Sequence, residues 1–319
     1  MTRARVFVVP GTAAPAAKDS SVRQVGALAC VGIGVAAAVV ALLPWLATGA
    51  RLPLQNLWAE PTLPGDMPRA LLPFGQYAIA LILSLIVVGY GAVGIAVRAL
   101  RPRLPDRAVL AAGSGAVAVH VVAAAQSATT VASGLQDRTA STFYLAAVLA
   151  VVAGAVLTGL LVLRLLAAPP RAGAVIGLSL VALLSGSWLA ELMMGLGSGS
   201  DGLALSWLNV VVRWVPAVLV GAAIAWGGLG TRGRVLAAAV SLLLLWIVPA
   251  AITAVTSAAG SRVLLPYPSE MLGYALDVLR AAMSTPGLVL PPVLAAAVVA
   301  AAGIVLRGLL EQRLVGDAA

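Results

Sequence analysis

Apolar residues run through this chain in eight long, nearly uninterrupted stretches, and the polar residues fall between them. The stretches cover roughly residues 25–47, 73–97, 108–133, 143–166, 172–195, 205–229, 235–257 and 287–309. Each is close to the ~20 residues that a helix needs to cross a ~30 Å hydrocarbon core. The run Leu81-Ile82-Leu83-Ser84-Leu85-Ile86-Val87-Val88 is apolar on nearly every side, where a membrane β-strand would alternate. In hydrocarbon the backbone must be hydrogen-bonded within the segment, and a helix does that alone. The pattern predicts an all-α polytopic membrane bundle of about eight transmembrane helices. The helical domain is expected over 25–309, between a flexible N-terminal tail at 1–24 and a short C-terminal tail at 310–319.

The separators give the bundle a direction. Arg3, Arg5, Lys18 and Arg23 precede the first stretch, and Arg307 and Arg313 close the last. Between them, every second separator is basic: Arg98, Arg101, Arg103 and Arg107, then Arg164 and Arg171, then Arg232 and Arg234. The other separators hold Arg51, Arg69, Arg138, Arg262 and Arg280, together with Glu60, Asp66, Asp137, Asp201, Glu270 and Asp277. Basic loops stay on the cytoplasmic side, so both termini are expected in the cytoplasm. The first stretch follows a basic region and ends in small residues, like a signal peptide. Its apolar run exceeds the 7–15 residues of a signal core, so a retained helix is expected.

Two outer segments are long. Residues 48–72 contain Pro53, Pro61, Pro64 and Pro68, too many for a long helix. Residues 258–286 predict a short amphipathic helix with Ser269 as N-cap and Leu272, Leu276, Leu279 and Met283 as its apolar stripe. It is expected to lie on the outer leaflet or to cap the bundle. No internal repeat is evident, since the long outer loops follow the first and seventh stretches.

Composition narrows the class. Of 319 residues, 61% are hydrophobic and 10% charged, where a soluble domain carries about a quarter charged. The net charge of +9 is spread over membrane-flanking loops and points to lipid surfaces, with no nucleic-acid partner expected. A single Lys against many Arg, with abundant Ala, Gly and Val, fits a GC-rich genome of actinobacterial type and a bacterial plasma membrane. The lone cysteine, Cys30, excludes an internal disulfide and a multi-Cys zinc site. Lys18 is not in a Gly-Lys-Ser/Thr context, so a Walker loop is absent. No cofactor or metal is expected.

Polar residues inside the stretches carry what functional signal there is. Arg213 lies about eight residues into the sixth stretch, roughly 12 Å from its outer end. A charge at mid-span costs about 2.5–3.5 kcal/mol on insertion scales, so it marks either a site or a partner. Ser206, Asn209 and Arg213 share one helical face. Glu191, with Ser187 one turn before it, lies near the outer end of the fifth stretch, and the short 196–204 connection makes the two helices antiparallel neighbours. Glu191 and Arg213 are then expected in the outer half of the bilayer, as a polar pathway or as an ion pair between helices. His120, the only histidine, sits mid-way along the third stretch, with Ser127 on the same face and Gln126, Thr130 and Ser133 on a second stripe. Proton coupling and an interhelical hydrogen bond are the two readings of His120.

Small residues at four-residue spacing suggest contact faces: Gly26, Cys30 and Gly34 on the first helix, and Ala150, Gly154 and Thr158 on the fourth. Pro216 and Pro249 are expected to bend the sixth and seventh helices, with Thr253 and Thr256 satisfying freed carbonyls. These features favour a non-catalytic permease or a membrane subunit of a transport or translocation complex, with lipids and other membrane subunits as partners. A purely scaffolding subunit is one alternative. In the other, Glu60 and Asp66 beside Trp58 and Arg69 resemble, in position only, the acidic first outer loop of membrane glycosyltransferases that use polyprenyl-phosphate sugars. That resemblance implies a carboxylate base and a phosphate-binding arginine.

Overall fold

The computed structural model describes residues 26–196, 202–261, 263–264 and 267–316. Among the described residues the helices are α1 (Ala27–Ala47), α2 (Ile79–Leu100), α3 (Ala108–Gly134), α4 (Thr139–Ala167), α5 (Arg171–Gly195), α6 (Gly202–Gly227), α7 (Arg232–Gly260), α8 (Pro268–Met283) and α9 (Pro286–Gly316). All except α8 are long and apolar enough to cross a membrane, which makes eight candidate spans near the eight stretches expected. The tail 1–24 with Arg3, Arg5, Lys18 and Arg23, together with Asp201 and Arg262, lies outside the described residues, as do the last three residues of the tail at 310–319.

Cross-chain contacts place the helix ends. Thr48, just after α1, bonds Glu191 near the end of α5, and Leu57 accepts a backbone bond from Gln136 just after α3. A Cβ on Gly260, the last residue of α7, would touch the Tyr77 ring just before α2. These contacts define one end of the bundle. At the other end Arg98 of α2 donates to the Leu166 and Ala168 carbonyls at 2.9 and 2.8 Å, capping α4. Arg307 of α9 donates to the Trp226 carbonyl at 3.0 Å, capping α6. The guanidinium groups of Arg98 and Arg171 lie 5.2 and 6.0 Å from the Trp226 ring. Arg98, Arg171 and Arg307 therefore gather at one end, where Arg98 and Arg307 satisfy helix C-termini, whose orphan carbonyls and dipole favour cations.

The eight long helices form two sets of four, α1–α4 and α5, α6, α7, α9, with one neighbour pattern. Among the described residues, the first helix of each set packs on the second and third, the second packs on the fourth, and the first and fourth stay apart. Sequence echoes follow. Ile33-Gly34 and Trp45-Leu46-Ala47 in α1 recur at the same spacing as Ile176-Gly177 and Trp188-Leu189-Ala190 in α5. Val93-Gly94 in α2 has a counterpart in Val220-Gly221 of α6, and each glycine lies against the fourth helix of its set. This corrects the expectation that no repeat exists. The long insertions fall after the first helix in one set and after the third in the other, which masks the repeat along the chain.

Residues 48–75 fold as a plug on the first set. Leu52, Met67, Leu72 and Phe74 are buried, and in water each contributes about 1.5–3 kcal/mol. Trp45 Nε1 donates to the Ala70 carbonyl at 2.8 Å, and the Leu71 and Leu72 amides donate to Gln126 Oε1 and Ser127 Oγ at 2.8 Å each. Gln55 donates to the Phe74 carbonyl at 2.8 Å and accepts from the Tyr144 hydroxyl of α4. Gly49, with φ of 94°, makes the left-handed turn that returns the chain from α1.

Three local expectations change. α8 exists, but Pro268 occupies its first turn and Tyr267 its N-cap, so Ser269 is not the cap. It packs along α7, and Leu272 and Leu276 of the expected stripe are exposed. On α1 the buried face is Cys30, Gly34 and Ala38, while Gly26 meets nothing. On α4 the buried face is Val148, Val152, Ala155 and Gly159; Ala150 and Gly154 are exposed.

Candidate functional site

Glu191 and Arg213 do not meet. Glu191 is half-buried and accepts a 3.0 Å hydrogen bond from Thr48 Oγ1, which ties α5 to the end of α1. Arg213 donates through Nη2 to the Gly287 carbonyl at 3.0 Å, and its guanidinium carbon lies 5.5 Å from the Trp214 ring. Among the described residues the ion pairs are Arg280–Asp277 and Arg307–Glu311, so no carboxylate neutralises Arg213. α5 and α6 are neighbours as expected, with Gly186 close against the Val212 backbone.

Proline explains what Arg213 does. A proline at i leaves the carbonyl at i−4 without its helical donor. Pro291 does this to Gly287, and Arg213 supplies the missing donor. Pro216, Pro249 and Pro292 do the same to Val212, Leu245 and Leu288. Those six residues all line one groove of about 350 Å³ between α5, α6, α7 and the α8–α9 junction. Arg213, Ser187 and Thr253 are its polar side chains in an otherwise largely apolar wall. Thr253 donates to the Pro249 carbonyl and Thr256 to Ile252 and Thr253, so neither reaches the Leu245 carbonyl that Pro249 frees. This corrects the expected role of the two threonines. Asn209 is exposed one turn before Arg213, and Trp207 and Trp214 are exposed on the same half of α6. α9 starts at Pro286, and the Arg213 side chain reaches its second residue, Gly287.

The remaining candidates sit elsewhere. His120 is 1% exposed, its ring stacks on Tyr90 at 5.2 Å, and neither ring nitrogen meets a hydrogen-bond partner. The interhelical hydrogen bond expected of it is absent; the contact is aromatic. Ser127 and Gln126 hold the plug, as described, and Gln126 Nε2 also donates to Thr130 Oγ1 at 3.0 Å. They are separate from His120's environment in function: one docks a segment, the other packs a ring. Glu60 is exposed and lines a cleft of about 420 Å³ with Trp58, Asn56 and Gln136, whereas Asp66 sits in a short turn outside that lining. The two carboxylates are not brought into one cleft.

The elements missing from the sequence reading are Gly287, Pro291 and Pro292, which build the groove with Arg213. The signal was present: two adjacent prolines inside an apolar run free two carbonyls in succession. Tyr90 and Thr48 carried no such signal, because their partners lie far along the chain. Among the described residues no cluster of His, Cys, Asp and Glu is placed to hold a metal. No protein-family model matches the chain, and no curated protein or solved structure matches it.

Proposed function

We propose that the chain is an integral multi-pass protein of a bacterial plasma membrane, with both termini cytoplasmic, that serves as a permease or as the membrane subunit of a transport or translocation complex. The apolar flank of the bundle supports the membrane reading, with Leu110, Phe143, Leu157, Leu236 and Val298 all more than half exposed. Arginines at one end and the exposed acids Glu60 and Asp66 at the other support the orientation. The observation that carries the function is the groove at Arg213. It combines a cation without a carboxylate partner among the described residues, proline-freed carbonyls at Leu245 and Leu288 and an apolar wall, in the outer half of a span. The helices here stay continuous through their prolines, and a proline-freed carbonyl at membrane depth is tolerated where it lines a cavity or meets a side chain.

Solvent access tests this. In a Cys30→Ala background, Ser187→Cys should react with a membrane-impermeant maleimide added outside intact cells. No reaction from outside would mean a closed groove, and the chain would then be a scaffold.

A further inference from the structure

The lining of the groove selects a ligand. Arg213 presents five N–H donors in a planar fork and spends one on Gly287. The rest suit a phosphate or carboxylate oxygen pair. Leu245 and Leu288 carry carbonyls that lack helical donors, and these suit hydroxyl groups, whereas the Val212 oxygen lies against Gly186. The rest of the wall, Leu183, Trp246 and Val289 among it, suits hydrocarbon. On the groove side of α6, Asn209 and Val212 are exposed and give lateral access from the lipid, while Trp207 and Trp214 line a separate apolar surface with Val211, Val215 and Val218.

The internal repeat adds an independent argument. With Gly94 set on Gly221, Arg213 falls on Ile86 and Asn209 on Ile82, and both isoleucines are 0% exposed. The first set packs this helix face completely. The second set leaves it open and makes it polar. A face kept only for lipid contact would need no arginine.

We propose that the groove binds an amphipathic phosphate ester, with the anionic phosphate on Arg213, head-group hydroxyls on the freed carbonyls and the hydrocarbon tail along the apolar wall. This rests on the permease reading above and names its substrate class.

The test is native mass spectrometry of the protein purified from detergent containing equal amounts of phosphatidylglycerol and diacylglycerol, which lacks the phosphate. The unaltered protein should retain phosphatidylglycerol about tenfold over diacylglycerol, the ratio expected when one charge-assisted contact discriminates. Arg213→Gln should abolish the preference, Arg213→Lys should keep part of it, and Arg280→Gln should leave it unchanged. Ser187→Phe, which fills the groove without touching the Arg213–Gly287 bond, should also abolish it; this covers the case in which Arg213→Gln does not fold. Retained preference in Ser187→Phe or in a folded Arg213→Gln overturns the proposal. So does displacement of the lipid by free glycerol phosphate at equal concentration, because the tail then adds nothing. Equal retention of both lipids, with Ser187→Cys still labelled from outside, overturns the ligand class and leaves the permease reading standing. Equal retention with Ser187→Cys unlabelled removes both.

Discussion

At the scale of single residues, the closest packing occurs where glycine lets two backbones meet. A Cβ on Gly34 would collide with the Ala112 carbonyl, and one on Gly115 with the Val31 carbonyl, so α1 and α3 touch main chain to main chain. In lipid such close approach is the main source of helix association. Gly34→Leu should therefore destabilise the bundle by about 1–3 kcal/mol or more, read as loss of folded protein on heating in detergent. Gly154→Leu, which adds atoms to open space, should change little. Equal loss in both would mean that glycine content, rather than this crossing, matters. His120 gives the opposite case. A buried polar ring with no partner gains little from its nitrogens, so His120→Phe should keep or raise thermal stability. A drop of several degrees would show a hydrogen bond that the structure does not contain. The position of both residues in apolar spans was legible from sequence, but their partners were not. Four-residue spacing found Gly34 and also Gly154, of which only one is in contact, because abundant small residues make the motif cheap.

At the scale of elements, the spans were readable because hydropathy is local and lipid rewards it residue by residue. The plug was not. Its prolines excluded a long helix, which holds, but its fold depends on partners such as Gln126 and Ser127, more than fifty residues from the amides they bind. Gln126→Ala should leave the half-buried Leu71 amide without its acceptor, at a cost of about 1–3 kcal/mol. Limited proteolysis from the side that carries residues 48–75 should then cut there sooner than in the unaltered protein. Unchanged protection would mean that the apolar plug residues hold the segment without that bond. α8 shows the same limit in miniature. Helical spacing found the element, while its buried face was set by α7 and could not be read from its own residues. The groove was half legible: Arg213, Pro216 and Pro249 stood out as anomalies in apolar runs, but the carbonyl that Arg213 serves belongs to α9.

At the scale of the whole molecule, two four-helix sets share one arrangement and differ in how fully the second helix is packed. The first is closed by its plug and buries most of α2, leaving Ile95 exposed. The second opens α6 to the groove. The proposed sidedness rests on charge: Arg98 and Arg307, which cap helix C-termini, belong to the separators that would stay on the cytoplasmic side. The most direct measurement places one cysteine at each end in a Cys30→Ala background and adds an impermeant maleimide to intact cells. Gly65→Cys, in the exposed turn of the plug, should label at once, and Gly230→Cys, between α6 and α7, only after the cells are permeabilised. Labelling of Gly230→Cys in intact cells, or recovery of the protein from the soluble fraction, would contradict the account.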